Sequence, residues 1–132
     1  MRAAVARRGH PPARRRRRRA HRHVLGLVHA RPGFPWTLPS LAAEAGLSRS
    51  SFAERFLSVV GCTPAAYLRT VRVVRAAELL RTTTRPISQV AHAVGYASES
   101  AFTGAFRRWS GMTPGEYRGA VEVPGGSAAP AP

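Results

Sequence analysis

Lysine, aspartate and asparagine are absent from this chain, and cysteine, isoleucine and glutamine occur once each, at Cys62, Ile87 and Gln89. A single cysteine excludes an intramolecular disulfide and removes any need for an oxidising compartment. With no aspartate, one cysteine and the glutamates spread over separate segments, no constellation for acid–base or nucleophilic catalysis can be assembled, so no enzyme is expected. His21 and His23 have no partner ligands at metal spacing and read as tail or surface histidines. His92 reads as a packed or surface histidine, and no metal or other cofactor is expected. Long apolar runs are missing too. None approaches the ~20 residues of a membrane span, and Val24–Val28 is too short and interrupted for a signal peptide. A cytoplasmic chain with no membrane partner is the expectation.

What is present is arginine. The 132 residues hold 21 arginines against six glutamates, a formal net charge of +15. Residues 1–22 carry ten of them and no acid, including the run Arg14–Arg19. Residues 23–118 carry the other 11 against five glutamates, so the body is basic by itself. Such a balance suggests a polyanionic partner, nucleic acid before membrane. The residue types that are missing also match GC-rich codon usage, a compositional source for the same arginines. Three parts follow: a disordered Arg-rich arm (1–22), a body (23–118) and a flexible Pro/Gly/Ala tail (119–132).

The body repeats itself. "GCTPAAYLR" at 61–69 returns as "GMTPGEYR" at 111–118. Upstream, Leu41 matches Val90, Ala42 matches Ala91, and Gly46 matches Gly95. After one extra residue, Phe52 matches Phe102, Phe56 matches Phe106, and Tyr67 matches Tyr117. Within each copy the apolar spacing is helical, with no alternation for a strand. In the first copy a short helix carries Leu38, Leu41, Ala42 and Ala45 after the N-cap Thr37, and ends at Gly46. Ser48 then caps a helix with a buried stripe of Phe52, Phe56 and Val59. In the second, Val90, Ala91 and Val94 precede Gly95, and the stripe is Phe102, Phe106 and Trp109. Helix, tight glycine turn and helix make a helix-turn-helix, here twice in register. Thr63-Pro64 and Thr113-Pro114 each start the next helix, Thr as N-cap and Pro at the first helical position. Pro64–Leu80 reads as one linking helix with Val71, Val74 and Leu79 in the core and Arg69, Arg72, Arg75 and Arg81 mostly solvated.

The segments "PWTLPSLAAEAGLSRSSFAERF", "GCTPAAYLR" and "RVVRAAELLRTTTRPISQVAHAVGYASESAFTGAFRRWSGMTPGEYR", in this order, resemble the DNA-binding domain of AraC/XylS-type transcription regulators. The resemblance covers about residues 23–118. It implies an all-α fold of seven helices: one near Val24–Arg31, two helix-turn-helix subdomains joined by a linking helix, and a short closing helix from Pro114. It also implies double-stranded DNA as partner, with both recognition helices in successive major-groove segments, and RNA polymerase as a second candidate partner. Family members usually carry a second domain for a small effector or for dimerisation; these 132 residues leave no room for one, so no effector site is expected within them. The localisation implied is the cytoplasm, on the nucleoid.

The base-facing positions that the resemblance and the exposed helix faces mark are Ser50, Ala53 and Glu54 in the first unit, and Glu99, Ser100, Thr103 and Gly104 in the second. The family commonly has an arginine at positions 54 and 104, and this chain has neither, so bidentate arginine–guanine readout is missing at both. Candidates for phosphate contact are Arg49, Arg85 and Arg107 together with the helix starts at Ser48 and Ser98. The expected function is sequence-specific regulation of transcription. The alternative is a truncated or degenerate paralogue that binds nucleic acid mainly through charge.

Overall fold

The computed structural model of the chain describes residue 15 and residues 18–122. Among these it has helices and no strand: α1 (residues 18–30), α2 (Leu38–Ala45), α3 (Arg49–Val60), α4 (Pro64–Thr82), α5 (Ile87–Ala93), α6 (Glu99–Ser110) and α7 (Pro114–Glu122). This is the all-α arrangement expected, with α2–α3 and α5–α6 as the helix-turn-helix pairs and α4 as the link. The chain divides into two compact units. The first contains α1, α2, α3 and the opening residues of α4; the second contains the rest of α4, α5 to α7 and the segment 31–35.

In the first unit α2 packs on α3. Thr37 and Ser40 cap α2 reciprocally: the Ser40 N–H donates to the Thr37 hydroxyl at 3.2 Å, and the Thr37 N–H donates to the Ser40 hydroxyl at 2.9 Å. Leu41, Ala42, Phe52 and Phe56 are buried, and the two phenyl rings meet at 5.5 Å. α1 joins this core and corrects two expectations. His21, Val24 and Val28, spaced three and four apart, share one helical face, and all three are buried. Residues 18–22 thus belong to a helix, although their charge suggested an arm. His21 is only 2 % exposed, so it is no surface histidine. Its ring stacks on Phe52 at 6.1 Å with 12° between planes. Composition counts charges and is blind to this phase. His23 does sit at the surface, 3.2 Å from Glu44. The rest of the expected arm and the tail beyond residue 122 lie outside the described residues.

The second unit has a continuous core of Val73, Ala76, Ala77, Leu79 and Leu80 from α4, Val90, Ala91 and Val94 from α5 and its turn, and Phe102, Ala105 and Phe106 from α6. Each large side chain so buried is worth about 1.5–3 kcal/mol. Tyr117 of α7 meets Phe106 edge-on at 5.2 Å. Four apolar positions depart from expectation. Val74 is 48 % exposed, because Val73, Ala77 and Leu80 set the buried face and Val74 is turned ~100° from it. Val59 and Trp109 are 57 % and 45 % exposed, in the last turns of α3 and α6. Helices of eight and seven residues, α2 and α5, cannot cover the whole of partners twelve residues long. Leu38, in the first turn of α2, is partly exposed as well.

Arg72 also departs from the solvated role expected of it. It stands four residues before Ala76, on the side of α4 that turns inward. Its Nε donates to the Pro32 carbonyl at 2.9 Å and its Nη2 to the Phe34 carbonyl at 2.8 Å. One guanidinium thereby pins the segment 31–35 within this unit. Burial lowers its pKa, and the neighbouring Tyr96 acts in the opposite direction.

Candidate nucleic-acid interface

Both turns that aim the recognition helices use the same hydrogen bonds. In the first, the Leu47 N–H donates to the Ala42 carbonyl and the Gly46 N–H to the Ala43 carbonyl, each at 3.0 Å. In the second, Tyr96 donates to Ala91 and Gly95 to His92, again at 3.0 Å. This is the Schellman closure, which needs a left-handed residue just past the helix. Gly46 and Gly95 supply it with φ of 70° and 96°. The carbonyls that accept from Leu47 and Tyr96 belong to Ala42 and Ala91, the small buried residues of α2 and α5.

The recognition helices α3 and α6 then start alike. The Ser48 hydroxyl accepts from the Ser51 N–H at 3.2 Å, and the Ser98 hydroxyl accepts from the Ala101 N–H at 3.1 Å. A hydroxyl used this way keeps its own hydrogen to donate, so both serines can still reach an anion at the helix N-terminus. Each helix buries its phenylalanine stripe, which turns the other face outward.

On α3 that outward face holds Ser50 and Glu54, both exposed, with Ala53 partly exposed between them and Leu57, 49 % exposed, one turn on. On α6 it holds the exposed Ser100 and the partly exposed Thr103 and Gly104, continued by the exposed Arg107. Glu99 is exposed in the first turn of α6, at the edge of this face and nearer the phenylalanine stripe. An acid there is also favoured by the helix dipole, whatever else it does. Each helix thus brings its own expected residues together on one side, except Glu99, which lies at the edge.

The arginines marked for phosphate contact are exposed: Arg49 at the start of α3, Arg107 on α6, and Arg85 between α4 and α5. The peptide of Arg85 is held from both sides. Its N–H donates to the Thr83 hydroxyl at 3.3 Å, and its carbonyl accepts from Arg118 Nη1 at 2.7 Å. Among the described residues the ion pairs are His23–Glu44 and Arg75–Glu78, so none of these three arginines forms a direct ion pair and Glu54 pairs with none of them, although the charge of Arg107 is felt by Glu116. These arginines and Glu54 are exposed, each in its own unit.

What sequence reasoning missed is on the other side of α6. Arg108 and Trp109 lie over a cleft against α4, and no motif marked them. The signal available was the helical phase, which puts Trp109 in line with Phe106 but beyond the reach of α5.

Taken together, the molecule is a double helix-turn-helix protein, with two similarly built recognition helices, one before and one after a linking helix in the chain. A family profile described as "Helix-turn-helix domain" matches residues 41–120. The chain belongs to the AraC/XylS family of helix-turn-helix proteins, through the DNA-binding domain of that family. It is 46% identical over 96 residues to the HTH-type transcriptional regulator AlkR of Acinetobacter baylyi, covering 73% of this chain and 31% of that protein. It is 50% identical over 95 residues to the RCS-specific HTH-type transcriptional activator RclR of Escherichia coli, covering 72% of this chain and 34% of that one. Its fold is similar to the crystal structure of the DNA-binding domain of AdpA, a global transcriptional factor, in complex with a target DNA. There the TM-score is 0.75 at 34% identity, covering 77% of this chain and 92% of that one. The chain therefore spans about a third of the length of the curated relatives it matches.

Proposed function

We propose that this chain is a sequence-specific double-stranded-DNA-binding regulator of transcription that places α3 and α6 in successive major-groove segments. The observation that supports it most is the pair of outward helix faces, built on the same turn, capped alike and edged by unpaired arginines. Small residues dominate those faces, which suits close approach, contact with thymine methyl groups and readout of groove shape. Ser50, Ala53 and Glu54, and Glu99, Ser100, Thr103 and Gly104, are the proposed base-facing set. Ser48, Arg49, Arg85, Ser98 and Arg107 are the proposed phosphate set. The regulators AlkR and RclR and the DNA complex of AdpA support the same role. The ten arginines of residues 1–22 add attraction to phosphate without sequence preference. RNA polymerase is the second partner that a regulator of this kind implies, and the nucleoid its place of work.

Selection from random duplexes followed by footprinting tests this. The expected result is a preferred motif with two protected segments about one duplex turn, ~10 bp, apart. A second reading, binding through charge alone, is favoured by the lack of arginine at positions 54 and 104. It requires a steep salt dependence with no motif recovered.

A further inference from the structure

The phenylalanine stripe of α6 and the inner stripe of α4 both run one turn past the end of the closed core. On α6 the stripe Phe102, Phe106 continues to Trp109, which rests edge-on against Phe106 at 5.5 Å and is 45 % exposed. On α4 the stripe Leu80, Ala77, Val73 continues toward the helix start to Arg69, four residues earlier, where an apolar side chain would have sealed the core. An open cleft is left there, lined by Arg69, Thr70, Val73, Ala105, Arg108 and Trp109, with a volume of about 190 Å³. Its floor is apolar (Val73 and Ala105), one wall is an indole, and an arginine stands on each rim, one from each helix.

Size and charge narrow the occupant. The volume is below the roughly 300–1,000 Å³ of small-molecule pockets and suits one apolar side chain. Arg69 and Arg108 are exposed and have no acid partner among the described residues, where the ion pairs are His23–Glu44 and Arg75–Glu78. Both line the same cleft, so their charges meet there from two helices. Nor is this the proposed groove-facing side. At ~100° per residue Trp109 lies about half a turn around α6 from the middle of the Ser100, Thr103 and Gly104 face. Exposed tryptophan flanked by arginine is also the composition of binding hot spots.

We propose that this cleft between α4 and α6 is a docking site for an acidic segment of a partner protein, one that inserts a single apolar side chain against Trp109 and sets carboxylates on Arg69 and Arg108. The occupant is a short peptide with a leucine-sized residue between acids. Its carboxylates supply the counter-charges that the described residues do not. Bound this way, the segment leaves Ser100 and Thr103 on the outward face of α6 free, while Arg108, whose Nη1 would lie 3.6 Å from a Cβ at Gly104, borders both sides.

The test uses the full chain, labelled so that the indole resonances of Trp36 and Trp109 are followed by NMR. The probe is a blocked peptide, Glu-Asp-Leu-Asp-Glu. It should shift the Trp109 resonance and leave that of Trp36 in place. Arg69→Glu and Arg108→Glu should each weaken binding about tenfold, since each turns an attraction into a repulsion. A Leu→Ser peptide of equal charge should bind clearly less. An unmoved Trp109 resonance, or equal binding of the serine peptide, overturns the proposal, because binding is then by charge elsewhere on a basic chain. A shift of Trp109 by acetate alone, equal to that by the peptide, makes the cleft a small-anion site instead. Competition by a duplex for the same resonance gives the cleft to DNA. No duplex is needed for the peptide arm, so it can fail while DNA binding stands, and the reverse.

Discussion

The two helix-turn-helix units agree on the inside and differ on the outside. Phe52 and Phe56 meet at 5.5 Å with 52° between planes, and Phe102 and Phe106 at 5.6 Å with the same angle. Their turns close through matching hydrogen bonds, and both recognition helices begin on a serine cap. Outside, Ser50 answers to Ser100, but Ala53 stands where the second unit has Thr103, Glu54 where it has Gly104, and Leu57 where it has Arg107. The inner set is what folding needs: a pair of rings, a small residue at the crossing and a left-handed turn. The outer set is free of that demand, so its differences are where the two units can carry different information. A duplex touched by both should be read differently by each.

The largest effect expected comes from breaking the shared interior. Phe106→Ala should cost about 3–5 kcal/mol, the usual range for a buried phenylalanine. Phe106 also supports Trp109 and Tyr117, and in the first unit His21 adds its ring to the phenylalanine pair. Urea unfolding followed at Trp109 should shift strongly. Trp36, in the other unit, reports whether that unit unfolds with it. Coincident loss of both signals would show that the two interiors are one cooperative system.

Next comes Arg72, which grips two carbonyls of the segment 31–35. Arg72→Ala should cost about 1.5–3 kcal/mol, the range for hydrogen bonds to a charged group. Lysine should restore little, since one ammonium cannot copy a fork that reaches two acceptors. A Gly33→Ala change should cost stability in the same place, because its Cβ would run into the carbonyl oxygen of Ala93. If Arg72→Lys behaves as wild type in urea unfolding, the fork is not what holds the segment.

The outer difference is sharpest at Glu54 and Gly104, which occupy the same place in the two units. If the Glu54 carboxylate accepts from a cytosine amine, Glu54→Ala should lose about 1–3 kcal/mol at one base pair and little elsewhere. If it reads nothing, its removal relieves repulsion and tightens binding to every duplex. Affinities for the selected site and each single-base variant separate these by sign. Gly104 is the complement. A Cβ there would meet only Arg108 Nη1 at 3.6 Å, an ordinary contact, so nothing inside the fold requires glycine. Gly104→Ala should therefore stabilise the second unit by about 0.5–1 kcal/mol. A weaker hold on the selected duplex alongside that gain would place the reason for the glycine in the groove. Unchanged DNA affinity would remove Gly104 from the contact surface.

Legibility followed the same division. The turn glycines, serine caps and phenylalanine pairs were readable because each is a local rule with a fixed spacing, stated twice. The fold class followed from them. Positions that depend on how far a neighbouring helix reaches were not readable: Val59 and Trp109 keep the phase of the core yet outrun α2 and α5. His21 and Arg72 were hidden by their polarity, although both sit in phase with buried neighbours. The proposed base-facing positions could be placed on a face because the buried stripe fixes the opposite side. Which base each meets depends on a partner, and no spacing rule carries that.

The smallest difference lies at the helix starts that follow each unit. Thr113 and Glu116 form a reciprocal cap on α7: the Thr113 N–H donates to Glu116 Oε1 at 2.9 Å, and the Glu116 N–H donates to the Thr113 hydroxyl at 3.1 Å. The matching residue at the start of α4 is Ala66, so the first phrase has no carboxylate to titrate. The backbone hydrogen bond from Thr113 is the main cause holding the Glu116 carboxyl below its ordinary pKa, followed by the bond to the Thr113 side chain. A carboxylate depressed in the folded state binds fewer protons than in the unfolded chain. Its contribution is therefore complete above the unfolded value and disappears as pH falls through the folded one. Glu116 is exposed, so the effect should be local fraying of α7 and not unfolding. Amide exchange at the start of α7 should accelerate as the solution is acidified below the ordinary carboxylate range, after correction for the intrinsic pH dependence of exchange. The start of α4 should show no such step. Glu116→Gln keeps an acceptor for the Thr113 N–H but cannot titrate, so its exchange profile should be flat where wild type bends. A bend that survives in Glu116→Gln would assign the acid sensitivity of α7 to another group.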